Sequence, residues 1–168
     1  MKVSRSTIID LPPEVVWSEV QTARILIHIA WPLMRFVPVG DEPLENFKSG
    51  GRYLVKLRLF GMLPFGKQWI VTSVHDPKTG EWPKQLRDNG SSAIIKKWDH
   101  WITISPNAEG GTRYSDDVEV SAGIMTPVIW ALAWVFYWHR QKRWRGLAQT
   151  LRARQLIAEE MAVFEHAK

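Results

Sequence analysis

The residues from Thr126 to Ala167 constrain the chain more than any others. They open Thr126-Pro127, a helix start, because proline is tolerated in the first turn where its missing N–H is not needed. No further proline occurs in this stretch, and Gly146 is its sole glycine. At about 100° per residue, Val128, Ile129, Leu132, Val135, Phe136, Gly146, Leu147, Ile157, Met161 and Phe164 fall in one broad stripe, with His139 and Arg143 inside it. Trp130, Trp134, Tyr137 and Trp138 form a second group on the opposite side. An amphipathic helix of roughly 40 residues is far longer than average and needs a long apolar surface to lie on.

The preceding residues supply that surface. Val3, Arg5, Thr7 and Ile9 alternate, so residues 2–10 suit a strand, which Leu11-Pro12-Pro13-Glu14 ends. A short helix over Glu14 to Gln21 carries Val15, Val16, Trp17 and Val20. A second, Thr22 to Ala30, places Ile25, Leu26 and Ile29 on one side before Trp31-Pro32 stops it. Residues 32–50 read as loop with a short strand at Met34–Val39. After Gly50-Gly51, Tyr53, Val55, Leu57 and Leu59 alternate with Lys56 and Arg58, and residues 61–66 form an apolar hairpin loop, a candidate pocket lip. Lys67 to His75 return as a strand ended by residues 76–80, and residues 81–88 form a shorter one. Ile94–Ser105 and Thr112–Ala122 are strands joined by a turn at 106–111. Strands followed by one long helix imply an antiparallel sheet with helices on one face, an α+β domain.

With 168 residues, the whole chain from 1 to 168 is expected to be one domain with a genuine core. Cysteine is absent, which excludes disulfides and thiol chemistry. The first six residues lead into no apolar run, and the longest such run, Pro127 to Trp138, falls short of the roughly 20 residues of a membrane span. A cytoplasmic protein is expected. The formal charge of +5 concentrates in Arg140, Lys142, Arg143, Arg145, Arg152 and Arg154. A solvated helix face explains such a cluster, and contact with an anionic membrane is the alternative. No nucleic-acid recognition motif accompanies the charge. His28, His75 and His166 lack metal-ligand spacing, and no phosphate loop or nucleophile elbow occurs, so no metal or cofactor is expected.

The candidate chemistry lies in the last hairpin. If it closes symmetrically about Ala108, Ile104 faces Thr112 and His100 faces Asp116. Both fall on the face carrying Trp98, Ile102, Val118 and Val120, the inward one. An imidazole and a carboxylate on an apolar face should find each other, since an unpaired buried polar group costs about 1–3 kcal/mol. They form either a satisfied core pair or a polar handle on a pocket floor, orienting a ligand or acting as general base.

Several motifs in order resemble the START/SRPBCC superfamily, which includes polyketide cyclases and pollen-allergen-like carriers. They are Ile9-Asp10-Leu11-Pro12-Pro13-Glu14-Val15-Val16-Trp17, Trp31-Pro32, Gly50-Gly51, Trp98-Asp99-His100, Gly111-Thr112-Arg113-Tyr114-Ser115-Asp116 and Tyr137-Trp138-His139-Arg140. The resemblance implies a helix-grip fold: a curved antiparallel sheet around a long C-terminal helix, with two short N-terminal helices. It implies a cavity for a small hydrophobic or aromatic ligand, a few hundred Å³ by the norm for such sites. The expected lining is Tyr53, Val55, Leu57, Trp98, Ile102, Val118, Leu132, Val135 and Phe136, with His100 and Asp116 as polar groups. A binding or carrier module is the first reading. The alternatives are a polyketide-cyclase-like enzyme using His100 and Asp116, or a membrane-peripheral or homodimeric protein. The last would act through Trp130, Trp134, Tyr137 and Trp138, a face otherwise covered by the segment Ile25–Trp31.

Overall fold

The computed structural model describes the backbone of residues 1–40, 44–77 and 81–166, and the side chains of the same residues as far as Ala153. The side chains of Arg154, Ile157, Met161, Phe164 and His166, and residues 78–80 of the expected turn, lie outside that description. The elements run β1 (Lys2–Ile9), α1 (Pro13–Val20), α2 (Ala23–Ala30), β2 (Met34–Pro38), β3 (Arg52–Leu59) and β4 (Leu63–His75). They continue with β5 (Lys84–Ser92), β6 (Lys97–Pro106), β7 (Thr112–Ser121) and α3 (Thr126–His166). Seven antiparallel strands form one sheet in the order β1-β7-β6-β5-β4-β3-β2. This is the helix-grip arrangement expected of the chain.

Local chemistry sets the helix ends. Pro13 occupies the first turn of α1 with Glu14 beside it, where a carboxylate complements the helix dipole. The Thr22 hydroxyl caps α2 by accepting the Ile25 N–H at 3.2 Å. At α3 the Thr126 hydroxyl accepts the Ala122 N–H at 2.9 Å and donates to the Gly123 carbonyl at 2.6 Å. These bonds tie the long helix to the end of β7.

The sheet departs from the expected outline at two places. The β3–β4 turn is Phe60-Gly61-Met62, and Leu63–Gly66 already belong to β4 rather than to a loop. Phe60 holds φ of 52°, a left-handed conformation that a bulky residue adopts at a cost of about 1–3 kcal/mol. Gly61 follows at φ of 74°, and a Cβ there would come within 2.8 Å of the Trp31 ring. The strand expected over residues 81–88 starts at Lys84 and continues through Asn89-Gly90 to Ser92. Gly90 is needed because β4 passes so close that a Cβ would sit 2.1 Å from the Trp69 carbonyl oxygen.

The last hairpin is also offset from its expected register. Ile104 opposes Tyr114, Ile102 opposes Asp116 and His100 opposes Val118, because the loop Asn107–Gly111 is centred one residue later than Ala108. The slip is two residues, so every side chain keeps its face.

The largest correction concerns α3. Its buried residues are Ile129, Ala133, Tyr137, Arg140, Gln141, Trp144 and Ala148. Except at Ile129, the inward face lies one residue beyond the expected stripe, so Val128, Leu132 and Val135 are exposed and Tyr137 and Arg140 point inward. The stripe was counted on apolar residues, whereas the real interior accommodates a guanidinium, an amide and a phenol. Of the four aromatics, Trp130, Trp134 and Trp138 follow one flank of the helix while Tyr137 is drawn into the core. Trp130 donates its indole N–H to the Lys2 carbonyl, Trp134 lies under Arg5 and Trp138 under Lys142. The α2 segment covers a different side, through Arg143 to the His28 carbonyl and His139 to the Trp31 carbonyl. No helix among the described residues is long and apolar enough to cross a membrane.

Candidate functional site

The core falls into three clusters rather than one. The first joins α1, α2 and Trp144 to β6 and β7. The second joins the start of α3 to Val3, Val118 and Val120, and the third joins Ala23 and Phe47 to Val55, Leu57 and Ile70. Members of all three border one cavity of about 160 Å³ between sheet and α3. That is smaller than the expected few hundred Å³, and close to the size at which an apolar cavity accepts a benzene-sized molecule. Phe60, Leu132 and Val135 belong to its wall and are themselves exposed, so the cavity opens between the β3–β4 turn and α3.

One part of the wall is polar. The register aligns Thr72, Asp88 and His100 as direct neighbours on β4, β5 and β6, and Arg140 closes over them from α3. Gln68 on β4 also borders the cavity. Behind His100 lies Asp116, fully buried and outside the cavity wall. Its Oδ1 accepts the His100 Nε2–H at 2.9 Å and the Tyr114 hydroxyl at 3.0 Å, and its Oδ2 accepts from Gln141 at 3.0 Å. Arg140 donates to the Tyr114 oxygen at 2.9 Å and stands 3.9 Å from Asp116 Oδ1. The buried charges thus compensate each other through a shared hydroxyl, which such charges require. Arg140 Nε and the Trp144 indole N–H are buried without a partner among the described residues.

These surroundings set the protonation states. Burial works against the Asp116 charge, but Arg140 and the bonds from His100 and Gln141 outweigh it and hold the carboxyl below its ordinary value. Burial lowers His100, and the Asp116 bond restores only part of that. His100 is therefore neutral near pH 7, with its proton on Nε2 toward Asp116. Its Nδ1 makes no hydrogen bond among the described residues. Asp88 is the most perturbed acid. Burial pushes it up to about 7, although its Oδ1 accepts the Val71 N–H at 2.9 Å and Arg140 is near. The wall thus holds a neutral imidazole beside a carboxyl group that titrates near neutrality, a base and an acid of the kind that proton transfer uses.

The family described as Domain of unknown function (DUF8410) matches residues 7–149. The chain belongs to that family. Several solved structures are similar to this chain in fold. A protein from Chromobacterium violaceum superposes with a TM-score of 0.62 at 16% identity, covering 88% of this chain and 96% of its own. A START superfamily protein from Mycobacterium smegmatis gives 0.57 at 18% identity, covering 89% and 98%. The Zhui aromatase/cyclase from Streptomyces sp. R1128 gives 0.57 at 10% identity, covering 89% and 93%. At such identities the likeness concerns the fold, which is START/SRPBCC-like. No curated protein sequence matches the chain.

Among the residues expected to line a site in this DUF8410 member, Leu57, Trp98, His100, Ile102, Leu132, Val135 and Phe136 border the cavity. Tyr53, Val55, Asp116 and Val118 do not. Val55 and Val118 are packed in the core, and the Tyr53 hydroxyl donates to the Asn46 carbonyl. His100 and Asp116 are joined, though diagonally rather than face to face. Sequence reasoning missed Thr72, Asp88, Tyr137 and Arg140. Asp88 lies within the strand expected over residues 81–88, and period-2 alternation from Leu86 is the signal that places it inward.

Proposed function

We propose that the protein binds and carries a small hydrophobic or aromatic molecule in the cavity between sheet and α3. The observation that carries this reading is the cavity itself, apolar over most of its wall and polar where Asp88, His100 and Arg140 converge. Apolar walls supply affinity and a few convergent polar groups fix orientation. The ligand's ring or chain packs against Leu57, Ile70 and Phe136, and a hydrogen-bonding substituent meets the polar wall. The START superfamily and aromatase/cyclase neighbours support such a use of the fold. Native mass spectrometry of protein purified from its own host tests it. A retained organic mass, released when Ala133→Leu fills the cavity, is expected. Absence of any retained mass, together with no binding of a naphthol fluorophore, overturns it.

A second reading is favoured by one observation, the unbonded His100 Nδ1 on the cavity wall with Asp88 directly across the ladder. In a cyclase-type enzyme His100 Nδ1 removes a proton from a carbon acid, Asp116 orients the ring, and protonated Asp88 donates to the developing oxyanion. His100→Gln would then abolish turnover while leaving ligand retention intact.

A further inference from the structure

The rim of the cavity carries a feature that ligand binding inside it does not use. Met62 is 75% exposed and Leu63 57%, and both project from the β3–β4 turn. Phe60 in the same turn borders the cavity, is half exposed and has a left-handed backbone conformation. The neighbouring Trp31 ring, which lies over Gly61, is exposed as well. Across the mouth stand the exposed Leu132 and Val135 of α3, and His139 one turn on ties Trp31 to the helix at 2.9 Å. Phe60, Leu132 and Val135 thus border the opening, and Trp31, Met62 and Leu63 extend the exposed apolar surface on its β3–β4 side, a patch of the kind that marks an interaction surface.

The outer face of the sheet, behind the β3–β4 turn, is basic. Arg35 faces Arg58 directly across β2–β3, and Lys56 faces Lys67 across β3–β4. All four are exposed, and none joins an ion pair among the described residues. No aspartate or glutamate occurs from Asn46 to His75, nor from Val120 to Ala158. Like charges directly opposite one another in a sheet are unfavourable, and an anionic partner relieves them. A second copy of this chain does not, because two such rims would bring eight positive charges together.

We propose that this rim docks on the surface of an anionic lipid bilayer, with Phe60, Met62 and Leu63 entering the headgroup boundary and Arg35, Lys56, Arg58 and Lys67 meeting lipid headgroups. The cavity mouth then faces the membrane. The Trp-rich side of α3 is not the docking element. The proposal stands apart from the ligand reading, because docking is measured on protein without added ligand.

The test is flotation with vesicles of phosphatidylcholine alone and of phosphatidylcholine with phosphatidylserine. The protein is expected to float with the anionic vesicles, to stay behind with the neutral ones, and to be released by salt. Met62→Asp with Leu63→Asp abolishes flotation; both positions are exposed, and circular dichroism checks the fold. Lys56→Gln with Arg58→Gln lowers partitioning by up to roughly 25-fold. Trp134→Ser, on the other flank of α3, leaves it unchanged. The proposal is overturned if the protein ignores anionic vesicles or floats equally with neutral ones. It is overturned equally if the turn variant floats like the parent, or if that variant instead dissolves a dimer seen by sedimentation.

Discussion

Arg140 and Asp116 oppose each other inside the protein, 3.9 Å apart, with the Tyr114 hydroxyl accepting from the arginine and donating to the carboxylate. Both are buried, Asp116 completely and Arg140 but for its edge on the cavity. Removing one therefore strands the other. Arg140→Met and Asp116→Asn should each destabilise the fold by about 3–5 kcal/mol, and the double variant by clearly less than their sum. Urea unfolding of the four proteins measures the coupling, and simple additivity would show that the two residues act independently.

Tyr114→Phe keeps the ring against Trp144 but deletes the oxygen between the two charges. A loss of about 1–3 kcal/mol is expected, since Arg140 and Asp116 both lose a buried partner. A variant as stable as the parent would place a water in the vacated position.

Asp88 makes stability depend on pH in an unusual direction. Its folded value of about 7 lies above its ordinary 3.8, so between those values the native state binds a proton that the unfolded chain releases. This contribution is intact below pH 3.8 and is lost as pH rises through 7. Asp88→Asn retains Oδ1 for the Val71 N–H and removes the titration. It should stabilise the protein above pH 7 by up to about 4 kcal/mol and make little difference in acid. Thermal melts at several pH values, compared with the parent, read the difference directly.

His100 works oppositely. Its value lies below 6.5, so as pH falls through 6.5 the unfolded chain takes up a proton that the native imidazole refuses, and stability declines. Asp116→Asn keeps an acceptor for Nε2–H but removes the negative charge that raises His100, so its NMR titration should move lower still. An unchanged titration would separate the pair.

Fold and site were legible to different degrees. Alternation in Tyr53–Leu59, the proline breaks at Pro12 and Pro32 and the Thr126-Pro127 start specified the elements, because each follows from backbone sterics or from an apolar face seeking cover. His100 and Asp116 were paired correctly from a hairpin drawn in the wrong register, since a two-residue slip preserves the face. Arg140 was read as surface because an arginine in a basic run is solvated unless a distant acid receives it. That acid, Asp116, lies 24 positions earlier, and helix periodicity carries no trace of it. Asp88 falls at the end of the expected strand 81–88, where a carboxylate reads as solvated; the strand runs on through Asn89-Gly90, and glycine there serves strand packing.

The Val71 N–H finds its acceptor in a side chain, not in the neighbouring strand. One carboxyl group is therefore both a rivet between β4 and β5 and the least settled proton on the cavity wall. A guest that hydrogen-bonds to Asp88 shares the carboxyl group whose Oδ1 holds the Val71 N–H, so occupancy is expected to alter that bond. Amide exchange at Val71 is consequently a reporter of what the hollow contains.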